Sequence, residues 1–271
     1  ISSPITVHNS RDDFMSVLID SSWNGYSFIS DVNDPLAWKP NAGFVLTYRK
    51  FETSSSGVIG VAQSQDGEEW FDQAPLNGCY PTGDCDPDLP TPNGFTFGRY
   101  ASSFISGNED DNIANVIWNE NTNSDFGGGG DGGYPLYTYN TLGMDEPEDM
   151  YWLDPSIVNL GCNIQPCDPA DLWLPNVQEI RLDGSSIVNI LLQQYVSPFM
   201  MSGSESFLPL PSSYYWINSS FFQNGYILWN DPMLLFDFSD NEIIGGYAGR
   251  PRFHINDNGV GYFVFSGYGE G

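Results

Sequence analysis

The sequence predicts an all-β fold built by repetition, and three observations carry that reading. A Trp-x-Asp ending occurs three times, at Trp70 and Asp72, Trp152 and Asp154, and Trp229 and Asp231. The tryptophans lie 82 and 77 residues apart, and the second and third endings are each followed by proline, Pro155 and Pro232. Short runs that alternate apolar with polar residues, bounded by Gly, Asn, Asp and Pro, fill most of the chain, which is the period of half-buried strands. Pro35, Tyr100, Pro175 and Pro251 mark four comparable unit starts at steps of 65, 75 and 76 residues, and self-similarity at such a period signals one unit written several times.

Taken in order, residues 4–20 are mixed: Ile5 and Val7 alternate, and then Phe14, Met15, Val17, Leu18 and Ile19 form an apolar run that suits strands or one helical turn. Asn24 and Gly25 mark a turn before a β-rich segment, 26–30. Residues 35–38 and 44–49 read as two strands joined tightly across 39–43, with Phe44, Leu46 and Tyr48 set against Val45, Thr47 and Arg49. Residues 58–63 make a third strand, and a fourth begins at Trp70. The second unit opens at Gly98, Arg99 and Tyr100, runs through 102–106, and crosses a polar turn into a nearly continuous apolar strand, 113–118. A Gly-rich stretch, 127–133 interrupted by Asp131, lacks the Lys and Thr of a phosphate loop and reads as a flexible surface loop before residues 135–140. In the third unit, strands are expected at 177–182, 187–195, 214–219 and 227–229, with a turn at Asp183 and Gly184. The fourth opens at Gly249, Arg250 and Pro251 and offers 253–255 and 262–265 around a turn at Asn258 and Gly259. Four-strand units with long decorated loops fit a β-propeller. The fourth unit is unfinished, so its sheet needs strands from 4–30 or further sequence, since an open edge is a liability. Blade number stays open, and residues 1–271 read as one propeller domain or a fragment of a longer chain.

Composition narrows the partners. Eight Lys and Arg face 35 Asp and Glu, a formal net charge of −27, with the acids scattered through every segment. Phosphate backbones and anionic membranes would be repelled, so neither nucleic acid nor a lipid surface is an expected partner. No apolar run is long enough to span a membrane. The acidity suits a solvated, aggregation-resistant surface in salty or calcium-rich surroundings, or specific cation sites. No signal-peptide pattern opens the chain, so Ile1 reads as the start of a mature or trimmed product. Four cysteines in two close pairs, Cys79 with Cys85 and Cys162 with Cys167, suggest an oxidising compartment and two local disulfides. A four-thiolate metal site, cross-pairing and free thiols are the other readings, although zinc knuckles are usually tighter. Each pair ends in an acidic tail, with Asp86 and Asp88 in one and Asp168 and Asp171 in the other, and such carboxylates are candidate ligands for calcium or a similar hard cation.

The residues from Ser64 to Trp70 carry a resemblance. Ser64, Asp66, Gly67 and Trp70 fit S-x-D-G-x-x-W, in which the Ser and Asp side chains can hydrogen-bond their own turn, Gly supplies backbone freedom and Trp plugs the space beneath. With the Asp34 to Trp38 strand, the strand ending at Arg49, the Gly98-Arg99-Tyr100 opening and the Trp118-Asn119-Glu120 ending, this chain resembles the sialidase-like, Asp-box (BNR-type) β-propellers of secreted bacterial surface proteins. The resemblance implies a secreted or cell-surface location. An Asp box itself marks a fold and carries little functional content.

A sialidase needs three arginines for the substrate carboxylate, a Tyr nucleophile with a Glu partner, and an acid near the glycosidic oxygen. Arg49, Arg99 and Arg250 are the candidates for such a fork, because guanidinium groups donate paired hydrogen bonds to carboxylates. The plainer reading is that Arg99 and Arg250 belong to the repeat and pair with nearby acids. His8 and His254 lack a nucleophile in any recognisable elbow, and no catalytic residue is assigned. The expected function is therefore a binding or structural module for an extracellular glycan or protein surface, with a sialidase-like glycoside hydrolase as the alternative. Aromatics beside turns, Trp23, Tyr80, Trp173, Tyr214 and Tyr215, suit stacking against such ligands. Trp70, Trp118, Trp152 and Trp229 are expected to fill the spaces between sheets.

Overall fold

The computed structural model describes residues 16–21, 33–52, 55–77, 98–107, 112–122, 132–153, 156–157, 172–182, 185–195, 212–221, 227–229, 233–237, 244–245, 252–256, 258, 260–264 and 267–268. Within them the protein is antiparallel β-sheet with a single 3-10 turn, Pro147–Asp149. The first sheet is a meander of β1 (Leu36–Lys39), β2 (Gly43–Glu52), β3 (Ser55–Ser64) and β4 (Phe71–Gln73). The second repeats that order with β5 (Gly98–Ser106), β6 (Ile113–Thr122), β7 (Gly132–Tyr139) and β8 (Ser156–Ile157). The third runs β9 (Leu172–Leu182), β10 (Ser185–Tyr195) and β11 (Ser212–Phe221), and the outer edge of β11 takes both β12 (Ile227–Trp229) and β13 (Met233–Asp237). Two further pairs follow, β14 (Ile244–Gly245) with β17 (Gly267–Tyr268), and β15 (Arg252–Ile255) with β16 (Gly261–Val264).

Most strands fall where the alternation places them, and the differences have physical causes. Gly132 and Gly133, read as loop, pair with Thr122 and Asn121, because the long β6 offers backbone partners beyond its apolar stretch. Residues 127–131 lie outside the described residues. Trp152 makes only an isolated bridge to Asn140, and the fourth strand of the second sheet comes later, at β8. The fourth strand of the third sheet is split: Trp229 pairs with Ser219, and Met233 with Trp216. Pro232, which has no N–H to give a ladder, falls between them.

Successive sheets stack through their first strands. Asn33 Nδ2 donates to Ala101 O, Asp34 N to Ser102 Oγ (3.0 Å), Ser103 Oγ to Pro35 O (2.8 Å) and Lys39 Nζ to Gly107 O (3.0 Å), each link joining residues 68 apart. That constant offset means β1 and β5 run side by side in the same direction, as equivalent strands of neighbouring repeats. β5 in turn contacts β9, and β9 contacts β15, so the sheets form a row. Val45, Val61, Ile105, Val116, Trp118 and Leu136 form the core between the first two sheets. β6 is enclosed on both faces from Ala114 to Glu120, which explains why its sequence barely alternates.

Candidate functional site

Among the described residues, a group of buried polar side chains lies where the first two sheets meet. Gly98 opens β5 without a side chain, and a Cβ there would collide with Ile59 Cγ1 and come within 3.0 Å of Asn77 Nδ2. Glycine is required for that close approach. Asn77 fills the junction: its Oδ1 accepts from Ile59 N (3.0 Å), and its Nδ2 donates to Gly57 O (2.7 Å) and Glu120 Oε2 (2.9 Å). The same carboxylate oxygen accepts from Trp118 Nε1 at 2.8 Å. Trp118 and Glu120 are two apart on β6 and so share a face. Glu120 is fully buried, which makes its carboxylate part of the sheet junction and closed to a ligand from solvent.

Arg99 belongs to the opposite face. Gly98 pairs with Glu120 and Arg99 with Asn119, after which the register jumps to Ser102 opposite Ile117. Three steps on β5 against two on β6 insert one extra residue, a β-bulge. Tyr100, inside the bulge, has φ of 55°, a left-handed conformation that costs a bulky side chain energy. Arg99 is half-buried, and its Nε is enclosed with no hydrogen-bond partner. Among the described residues Arg99 makes no ion pair, contrary to the expectation that it neutralises a nearby acid. Strand alternation is the reason: it turns Glu120 to one side of the sheet and Arg99 to the other. An enclosed donor without an acceptor costs about 1–3 kcal/mol.

Arg49 stands opposite Ile59 in the first sheet, on the face that Ile59 presents to Gly98. The register therefore puts Arg49 and Arg99 on different sides of β5. Arg250, Asp86, Asp88, Asp168, Asp171, Cys79, Cys85, Cys162 and Cys167 lie outside the described residues. So do Trp23 and Tyr80. Among the described residues there is no group of three His, Cys, Asp or Glu side chains able to hold a metal ion, and no helix long and apolar enough to cross a membrane. Asn77 and the role of Glu120 were not foreseen, although the Trp118-x-Glu120 spacing was a usable signal.

The Ser64 to Trp70 turn has the local hydrogen bonds its residues suggest. Ser64 Oγ accepts from Gly67 N (2.8 Å), Asp66 Oδ1 accepts from Glu68 N (2.7 Å) and Glu69 N (3.0 Å), and Trp70 Nε1 donates to Gly67 O (2.9 Å). Gly67 has φ of 81°. Trp70 is half-buried and packs against Phe44 with ring centroids 6.0 Å apart, so it covers its own sheet, whereas Trp118 and Trp152 are buried between sheets. The N–H groups of Glu69 and Glu68, with help from the Ser64 hydroxyl, hold the Asp66 carboxyl below the usual aspartate range. A lowered folded value means that the turn gains from ionised Asp66 above the ordinary carboxylate pKa and loses that gain as pH falls through the folded value. By carbon-detected NMR, Asp66 is expected to titrate below an unperturbed aspartate, and Ser64→Ala to move it part of the way back. A midpoint at the unperturbed value would remove the hydrogen-bonding account.

No family model matches this chain, and no curated protein matches it.

Proposed function

We propose that the protein is a sialidase-like β-propeller that serves, in a secreted or cell-surface setting, as a binding module for an extracellular glycan or protein surface. The observation that carries this reading is Arg99: its Nε is enclosed and unpartnered, beside a left-handed Tyr100 on a β-bulge. Backbone strain and bulges are commonly retained where a side chain must be aimed at a ligand. Among the described residues no acid pairs with this guanidinium, and its planar fork suits a carboxylate from a partner. A carboxylated glycan or an acidic peptide supplies the matching acceptor. Glu120, the carboxylate at the sheet junction, is buried and engaged by Trp118 and Asn77, so it is not a free acid of the kind the alternative, a glycoside hydrolase, would use.

Screening acidic and neutral glycans by calorimetry tests the proposal. Arg99→Ala is expected to weaken binding of a carboxylated glycan by about 10- to 100-fold, the worth of a charge-assisted hydrogen bond. Arg99→Lys should restore little, because an ammonium lacks the planar fork. Wild-type affinity in Arg99→Ala, or turnover of a fluorogenic sialoside, would overturn the binding reading. A calcium-type cation at Asp86, Asp88, Asp168 and Asp171 forms part of the same proposal, resting on the paired acidic tails. It predicts a melting temperature that falls with chelator and returns with excess calcium, and a chelator-independent transition would remove the cation.

A further inference from the structure

Five asparagines are followed directly by glycine in the sequence, and the fold treats two of them in opposite ways. Asn77, which precedes Gly78, is buried with both ends of its carboxamide engaged: Oδ1 accepts from Ile59 N, and Nδ2 donates to Gly57 O and Glu120 Oε2. Asn258, which precedes Gly259, lies in the connection between β15 and β16 and is exposed. Its backbone N–H donates to Asn256 Oδ1 at 3.0 Å, and Val260 N donates to the same oxygen at 3.0 Å. Asn256 N reaches Val260 O at 3.0 Å, closing the connection next to the Ile255 to Gly261 pair. Asn256 therefore commits its side-chain oxygen to the turn. Among the described residues no group hydrogen-bonds the Asn258 carboxamide, which leaves it free to rotate. The other three, Asn24, Asn93 and Asn224, lie outside the described residues.

We propose that Asn258 is a site of spontaneous covalent modification, deamidation through a cyclic imide, and that the fold directs the reaction to Asn258 and away from Asn77. The backbone nitrogen of the following residue attacks Asn258 Cγ, and glycine permits this because it has no Cβ to obstruct ring closure. The new N–Cγ bond closes a succinimide ring, the Cγ–Nδ2 bond breaks, and the proton from the attacking N–H leaves with Nδ2 as ammonia. Water then opens the ring at one of its two carbonyls. Attack at Cγ leaves aspartate, whereas attack at the backbone carbonyl leaves isoaspartate, whose main chain runs through Cβ and Cγ. Either product places a carboxylate where a neutral amide stood, on a chain whose net charge is already −27. Isoaspartate also adds a methylene to the main chain inside the connection that sets the β15–β16 register. At Asn77 the same step would have to break three hydrogen bonds, one of them to a carboxylate, and release ammonia into a closed junction. The inference is independent of the propeller reading and of any ligand at Arg99.

Peptide mapping by mass spectrometry of the full chain, aged in warm, mildly alkaline buffer, tests it. In the folded protein the Asn258 peptide is expected to gain the mass of an amide-to-acid exchange at least about 10-fold faster than the Asn77 peptide, a barrier difference of about 1.4 kcal/mol. In urea, where the junction no longer protects Asn77, the two rates should converge. Gly259→Ala should slow conversion at Asn258 by roughly 10-fold, because a methyl group beside the attacking nitrogen raises the barrier. Asn258→Gln, which would have to close a larger ring, should abolish it without altering the turn bonds made by Asn256. An Asn258 peptide that stays unmodified in the folded chain while the unfolded chain converts would overturn the site. Equal rates at Asn77 and Asn258 in the folded chain would overturn the direction of the reaction by the fold.

Discussion

Gly43→Ala is expected to destabilise the protein by roughly 3 kcal/mol, from left-handed backbone strain together with overpacking. Gly43 begins β2 opposite Lys39, just after the three-residue turn of Pro40, Asn41 and Ala42, and has φ of 95°. Only glycine takes that conformation without penalty. A Cβ would also strike Ser64 O and lie 2.6 Å from Gln65 Cα. Both obstacles are backbone, at the point where β3 leaves the sheet, so no rotamer change relieves the clash. Gly67 offers the contrast. Its φ of 81° is also left-handed, but a Cβ there meets only the Phe44 ring edge at 3.3 Å, which can give way. Gly67→Ala should therefore cost about 1 kcal/mol. Urea denaturation of the two variants decides the matter, and equal losses would show that the Ser64 backbone yields after all.

Strand positions were legible where a strand keeps one face buried, and β2 is the clearest case. Phe44, Leu46 and Tyr48 oppose Val45, Thr47 and Arg49 in the sequence, and β2 buries Val45 and Thr47 fully on the side facing the second sheet. The repeat was legible too, since the marker step of 65 residues from Pro35 to Tyr100 is close to the 68-residue offset that links β1 to β5. What escaped the sequence depends on relations between strands. One extra residue at Tyr100 changes which side chains share a face, and no local pattern announces it. The surroundings of Arg99 follow from that bulge, so its lack of an acid partner could not be read from the many acids nearby in sequence. Asn77 had no signature at all, because its three partners come from Gly57, Ile59 and Glu120, on two different sheets.

Asn140→Ala should cost about 3–5 kcal/mol, because it strands several enclosed hydrogen-bonding groups at once. Asn140 is fully buried just after β7, and its side chain satisfies both directions. Its Oδ1 accepts from Leu142 N and Tyr151 N, each at 3.0 Å, closing the segment that carries the 3-10 turn. Its Nδ2 donates to Gly143 O and to Gln63 Oε1, each at 2.9 Å, and the second of these ties the segment to β3 of the first sheet. Gln63 extends the tie by donating to the Met144 sulfur at 3.0 Å. Gln63→Ala removes only that outer part and leaves the two backbone N–H groups satisfied, so about 1–2 kcal/mol is expected. Asn140→Asp separates acceptors from donors. It keeps both backbone N–H contacts but sets a carboxylate oxygen against Gln63 Oε1 and Gly143 O, and it buries a charge. Burial raises the pKa of such a carboxyl, so the defect should be largest at neutral pH and shrink as acid protonates it. Denaturation series on the three variants at neutral and mildly acidic pH test the ordering. A loss below 1 kcal/mol for Asn140→Ala, or an Asn140→Asp defect independent of pH, would mean that water reaches the site and that other contacts hold the first two sheets together.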